Sequence, residues 1–137
     1  MGEVRVKARL TNHVDDVRAR LGEIRTDQIR SYEADALVDT GAVRMIVPPH
    51  VLRQLGVETN RGEVAEYADG RKDSVRVSDG ITVNIMGRET LDEALVLGDE
   101  VMIGQTVLEK LDLQVDCREQ RLIANPAHPD QPVSKVK

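Results

Sequence analysis

The chain has 137 residues and a mass of 15.2 kDa, which bounds it to a single domain with one core. Its net charge of −5 comes from 19 basic residues interspersed among 24 acidic ones. With two Tyr and no Phe or Trp to stack on bases, that balance argues against nucleic-acid binding. One cysteine excludes an internal disulfide, and no apolar run approaches the roughly 20 residues that cross a bilayer.

Without Phe or Trp, the core must be built from Val, Leu, Ile, Met and Ala, and the abundance of Val favours strands. Glu3 to Leu10 sets Val4, Val6, Ala8 and Leu10 against Glu3, Arg5, Lys7 and Arg9, the alternation of a half-buried strand. The same charges leave no apolar leader, so the chain reads as cytoplasmic. Thr11 to Gly22 fits either a short helix capped at Thr11/Asn12 or a polar excursion between strands. The chain is extended again from Arg30 through Ala34, Ala36 and Val38. Val43 to Val47 reads as a further strand, stopped by Pro48-Pro49. Val51, Leu52 and Leu55 then carry a short helix closed by Gly56.

Glu63 to Val77 reads as a hairpin with a type I′ turn at Asp69-Gly70. Ile81 to Ile85, Leu91 to Leu97 and Val101 to Ile103 are the next strand candidates. Thr106 with Glu109 forms a capping box that opens a helix over Thr106 to Lys110. Leu113, Val115 and Cys117 alternate, which makes Cys117 a half-buried small residue in a reducing compartment. Leu122 and Ile123 complete the core. Residues 1–125 thus read as one domain and 126–137 as a Pro-rich, solvated tail.

Chemistry concentrates in Ala36-Leu37-Val38-Asp39-Thr40-Gly41-Ala42. A carboxylate at the end of a buried strand loses solvation, so the fold controls its protonation. Thr40 offers a hydroxyl to hold the turn, and Gly41 permits close approach. A glycine-tipped hairpin follows about thirty residues later. Met102-Ile103-Gly104 then leads directly into a helix. His13, His50 and His128 lie in segments of different type and do not pair at ligand spacing. His13 with Asp15 and Asp16 reads as a solvated polar loop, so no metal is expected.

Asp39-Thr40-Gly41-Ala42 in this order of elements resembles the retropepsin-like aspartic proteases, over roughly Val4 to Asn125. Val38 to Val43, Ala68 to Gly70 and Gly98 to Val101 are similar to the motifs of bacterial, cyanobacterial-type single-domain members. The resemblance implies an all-β, acid-protease lobe closed as a β-barrel, with one or two short helices and a flap hairpin. It implies an aspartic endopeptidase without metal or cofactor, in which two carboxylates share a proton and activate water. One motif per chain then implies a homodimer, with Asp39 contributed by each subunit. Thr40 would brace the paired loops, and Gly41 and Ala42 would leave room for water and substrate. Tyr67, Ala68, Asp69 and Gly70 would form the flap over an extended peptide, with Tyr67 either packing or lining a subsite. Met102, Ile103 and Gly104 would support the loop from beneath. The family's chain ends interleave between subunits, a place Val133 or Val136 could take.

Three departures stand beside the resemblance. The flap tip Ala68-Asp69-Gly70-Arg71 is polar, with one glycine rather than several. Gly104-Gln105-Thr106 lacks the arginine that buttresses viral dimers, and Arg44 sits near the motif, where it is expected to point outward. The alternative reading is a catalytically silent module of the same fold that binds peptide or dimerises.

Overall fold

Residues 2–136 are described by a computed structural model. The alternating N-terminal segment forms β1 (Val4–Asn12), whose Ala8 and Leu10 are fully buried. The ambiguous stretch after it is helical: α1 (His13–Arg20) starts where the Asn12 side chain accepts from the Asp15 amide. Asp15 is not solvated as its polar neighbours suggested. It is buried and takes both arms of Arg30, at 2.8 and 3.0 Å, together with the Arg30 amide. A 3-10 turn, Thr26–Gln28, leads into β2 (Ser31–Val38), antiparallel to β1 from Val4↔Val38 to Thr11↔Ser31.

Next come β3 (Met45–Val47) and α2 (Pro49–Leu55), which ends on left-handed Gly56 as Pro and Gly signals predict. The strand starts later than Val43 because the Ala42 and Val43 carbonyls accept from Gln105 and Thr106 instead. β4 (Thr59–Glu66) and β5 (Lys72–Ser78) make the hairpin. Its turn is not type I′: only Gly70 is left-handed, and the Tyr67 amide reaches Arg71 across a three-residue loop. The Asp69 side chain accepts from the Arg71 amide, which holds Asp69 in a right-handed turn. The pair of left-handed residues that type I′ requires occurs instead at Met86-Gly87, between β6 (Ile81–Ile85) and β7 (Arg88–Asp92).

The expected Leu91 to Leu97 segment is broken at Glu93, whose amide is taken by Asp92, so β8 spans only Ala94–Val96. β9 (Met102–Ile103) precedes α3 (Gln105–Leu111). The Thr106/Glu109 capping box does not form. Gly104 is the N-cap without a side-chain bond, and the Thr106 amide goes to Val43. A separate hairpin, β10 (Leu113–Asp116) with β11 (Arg121–Ala124), closes the chain. Asp116 accepts the Arg118 and Glu119 amides and turns the chain before Cys117, which is exposed rather than half-buried.

The main sheet orders its nine strands β4-β5-β8-β3-β9-β2-β1-β6-β7. The all-β class is as expected, with three short helices. The sheet is an open ladder rather than a closed barrel, since no pairing among the described residues joins β7 to β4. Both edge strands carry charge, Arg61, Glu63 and Glu66 on β4 and Glu89 and Asp92 on β7, while Arg88 of β7 is buried. One aliphatic core runs through β1, β2, β3, β6, α2 and α3. After β11, Arg88 donates to the His128 carbonyl at 2.7 Å, and Asp112 receives the His128 ring and the Val133 amide. The start of the Pro-rich segment is therefore pinned to the body, while Val136 is exposed. No helix among the described residues is long and apolar enough to cross a membrane.

Candidate active site

β2 and β3 are consecutive in the chain yet not adjacent in the sheet, because β9 lies between them. It runs parallel to β2 (Leu37↔Met102, Val38↔Ile103) and antiparallel to β3 (Ile46↔Met102). The connection Asp39 to Arg44 must therefore arch over the end of β9. The Asp39 amide donates to Ile103 at 3.0 Å, and the Gln105 and Thr106 amides donate to Ala42 and Val43 at 2.7 and 3.0 Å. Gly104 is buried below the arch. A Cβ there would stand 2.6 Å from the Arg44 carbonyl oxygen and 2.8 Å from that of Ala42, so only glycine lets the two segments meet.

Within the arch, one oxygen of Asp39 (Oδ1) accepts from the Gly41 amide at 2.9 Å. A side chain at 41 would bring its Cβ to 3.2 Å from that oxygen. The second oxygen, Oδ2, has no partner among the described residues of the chain, and Asp39 is half-buried. The backbone thus fixes one carboxylate oxygen and leaves the other without a hydrogen bond to the described residues. Thr40 is exposed.

Beside the arch lies a groove of ≈ 290 Å³. Gly41 to Arg44 form one wall and Glu63 to Glu66 of β4 with Tyr67 the other, with Ile46, Leu95 and Leu97 completing the lining. Val43 and Val64 present exposed apolar side chains to it, at 67% and 64% of full exposure. Such a trough between a loop and an edge strand suits an extended chain, which could pair with backbone and place side chains alternately.

The residues singled out from the sequence are brought together in part. Asp39 to Ala42 and Met102 to Gly104 form one hydrogen-bonded unit. Tyr67 faces the groove from the hairpin, its ring beneath the Arg71 guanidinium at 4.4 Å. Ala68, Asp69 and Gly70 are exposed at the tip and do not line the groove. Arg44 makes no bond to Asp39 among the described residues: its Nη1 donates to both Glu63 carboxylate oxygens at 3.2 Å. Sequence reasoning missed Glu63, Leu95 and Leu97, and no local spacing could have linked them to position 44. Next to this pair, Arg61 grips Glu93 with two bonds of 2.7 and 2.9 Å. Hydrogen bonding from Arg61 holds the Glu93 carboxyl below its usual range, with smaller help from the charge of Arg44.

No protein-family model and no curated protein sequence matches the chain. Solved structures do. The chain is similar to EIAV protease complexed with the inhibitor HBY-793, with a TM-score of 0.53 and 14% identity over 79% of this chain and 86% of that one. It is also similar to the retroviral protease-like domain of Ddi1 from Leishmania major, with a TM-score of 0.56 and 17% identity over 92% and 90%. The fold is therefore that of a retropepsin-like aspartic protease.

Proposed function

We propose that the chain is an aspartic endopeptidase that works as a homodimer, with Asp39 as the catalytic residue of each subunit. The observation that carries the reading is the carboxylate of Asp39, fixed by the Gly41 amide on an arch over Gly104; the next residues of the arch, Gly41 to Arg44, line an extended groove. Amide hydrolysis needs an activated water and a proton for the leaving nitrogen. Two close carboxylates that share one proton supply both, because their repulsion separates the two protonation steps. The chain holds one such motif, so the second carboxylate comes from a second copy across a two-fold axis. The pair then titrates as a unit.

In this reading the Thr40 hydroxyl braces the facing loops. Gly41 and Ala42 leave space for water and the scissile bond, and Met102 to Gly104 hold the arch level. The β4–β5 hairpin, with Tyr67 to Gly70 at its end, is the flap that closes over an extended peptide and excludes water. Residues 1–125 form the protease domain. In the same reading the Pro-rich segment after residue 125 would meet the partner subunit, through Val133 or Val136. The exposed Cys117 thiol would suit a reducing, cytoplasmic setting.

The test is cleavage of a denatured protein mixture across pH 3 to 8, a range of about five units that brackets carboxyl titration. Wild type should cut, a statine-type inhibitor should block it, and Asp39→Asn should lose about 100- to 10,000-fold in kcat/KM. Sedimentation run in parallel should show a dimer. A dimer that cuts nothing at any pH would point to a peptide-binding module of the same fold, and a persistent monomer would remove the dyad altogether.

A further inference from the structure

The base of the hairpin carries a feature that the proposed chemistry does not use. Among the described residues, β5 pairs with a strand other than β4 only at Arg76↔Val96 and Val77↔Leu95, next to the Ser78 hydroxyl that accepts from the Ala94 amide, and Gly62 faces Arg76 on β4. Beyond that point the two arms, from Glu63↔Val75 to Glu66↔Lys72, pair only with each other. A register irregularity between Thr59 and Arg61 precedes Gly62, so a bulge and a glycine stand together where the hairpin leaves the sheet. Glu63 is the first residue past this hinge. Its two-bonded ion pair with Arg44 is the one side-chain hydrogen-bonded link from residues 63–75 to the remainder of the chain among the described residues. Arg44 belongs to the arch that carries Asp39.

We propose that Arg44 is a positioning residue that clamps the hairpin at its hinge through Glu63, so that one ion pair sets how far the hairpin stands over the Asp39 arch. Its role in catalysis rests on the protease reading given above; the clamp itself does not. The pair has electrostatic company. Arg61 acts on Glu63, and Arg44 acts on Glu93, so two arginines and two glutamates alternate in one neutral patch across the arch, β4 and the turn before β8. A network of this kind holds better than an isolated surface pair. It is also partly open to water: the Arg44 and Glu63 side chains are 26% and 41% exposed. Salt therefore reaches it, with screening over about 3 Å at 1 M. The clamp is tight enough to bias the hairpin and weak enough to yield to a substrate.

Relaxation dispersion of the backbone amides of residues 64–74 in the full chain reads the population of the displaced hairpin. Arg44→Gln and Glu63→Gln should each raise that population by about two- to fivefold, the range of a partly exposed pair. The exchanged pair, Arg44→Glu with Glu63→Arg, should restore it, and 1 M salt (about a 3 Å screening length) should bring wild type to the level of the single variants. Amides of β1 and β6 should not respond. Where wild type cuts peptide, the single variants should raise KM more than they lower kcat. A hairpin population indifferent to both variants and salt overturns the clamp. So does a response that spreads equally into β1 and β6. If the protein cuts nothing, the dispersion measurements still decide the clamp, while the protease reading falls alone.

Discussion

Gly104 is the residue on which the geometry of the arch depends. Its φ of −96° is ordinary, so the demand is for space rather than for backbone freedom. The obstacles to a Cβ are two carbonyl oxygens of the main chain, which cannot rotate away as side chains do. Gly104→Ala should cost about 1–3 kcal/mol in a urea titration, the usual price of forcing atoms into a packed site. Under the protease reading proposed above it should also lower kcat/KM, because the arch that rises is the one that holds Asp39. Gly70→Ala is the opposite case: open space, but a φ of +85°. It should cost about 1–2 kcal/mol from backbone strain and leave the arch untouched. Asp15 makes a third residue-scale test. Hydrogen bonds from Arg30 hold its carboxyl below the usual range, and the Arg30 charge assists. A lowered folded pKa gives stability that is complete above the unfolded value of about 3.9 and is lost as pH falls through the folded value. Asp15→Asn should therefore lower stability by about 1–3 kcal/mol at neutral pH. On acidification below about pH 4, where an unfolded Asp protonates, the urea midpoint of wild type should fall toward that of the variant.

Elements were legible from the sequence where a short period or a single punctuating residue decides them. β1 follows from its alternation, α2 from Pro48-Pro49 and Gly56, and the hairpin from two polar arms around a glycine. What was not legible depends on partners distant in the chain. α3 is capped at Gly104 rather than Thr106 because the Val43 carbonyl, some sixty residues earlier, takes the Thr106 amide that a capping box would give to the Glu109 side chain. The other end of α3 shows the same dependence. Arg88, buried on β7, donates to the carbonyls of Leu111 at 3.0 Å, Asp112 at 2.9 Å and His128 at 2.7 Å, so one guanidinium closes the helix and ties down the chain beyond β11. A lone Arg in a short polar strand carries no local mark of that duty. Arg88→Met keeps the apolar bulk and removes the donors. It should cost about 2–4 kcal/mol in urea unfolding, the loss of several charge-assisted bonds. The NMR resonances of His128 should shift toward those of a free chain end.

At the scale of the whole molecule, the chain sets the half-buried carboxylate of Asp39 at the start of an arch whose later residues line an open groove, and it supplies no second carboxylate from the same motif. The single Asp-Thr-Gly was the part of the site most readable in the sequence, because its meaning sits in three adjacent residues. The groove was the least readable, because Gly41 to Arg44, Glu63 to Tyr67 and Leu95 meet only after β9 threads between β2 and β3. A site shared between copies has a consequence that no single-chain site can imitate. If wild type is held at constant concentration and Asp39→Asn is added, the copies exchange and mixed dimers hold one carboxylate. Above the dissociation constant, an equal amount of the variant should reduce activity to about one half, and a threefold excess to about one quarter, by random pairing of the copies. Dilution of wild type through the dissociation constant should give activity that falls faster than concentration. Activity unchanged by the variant, and strictly proportional to wild type, would mean that each chain completes its own site. The search for a second acid would then turn to the carboxylates nearest the groove, Glu63 and Glu66.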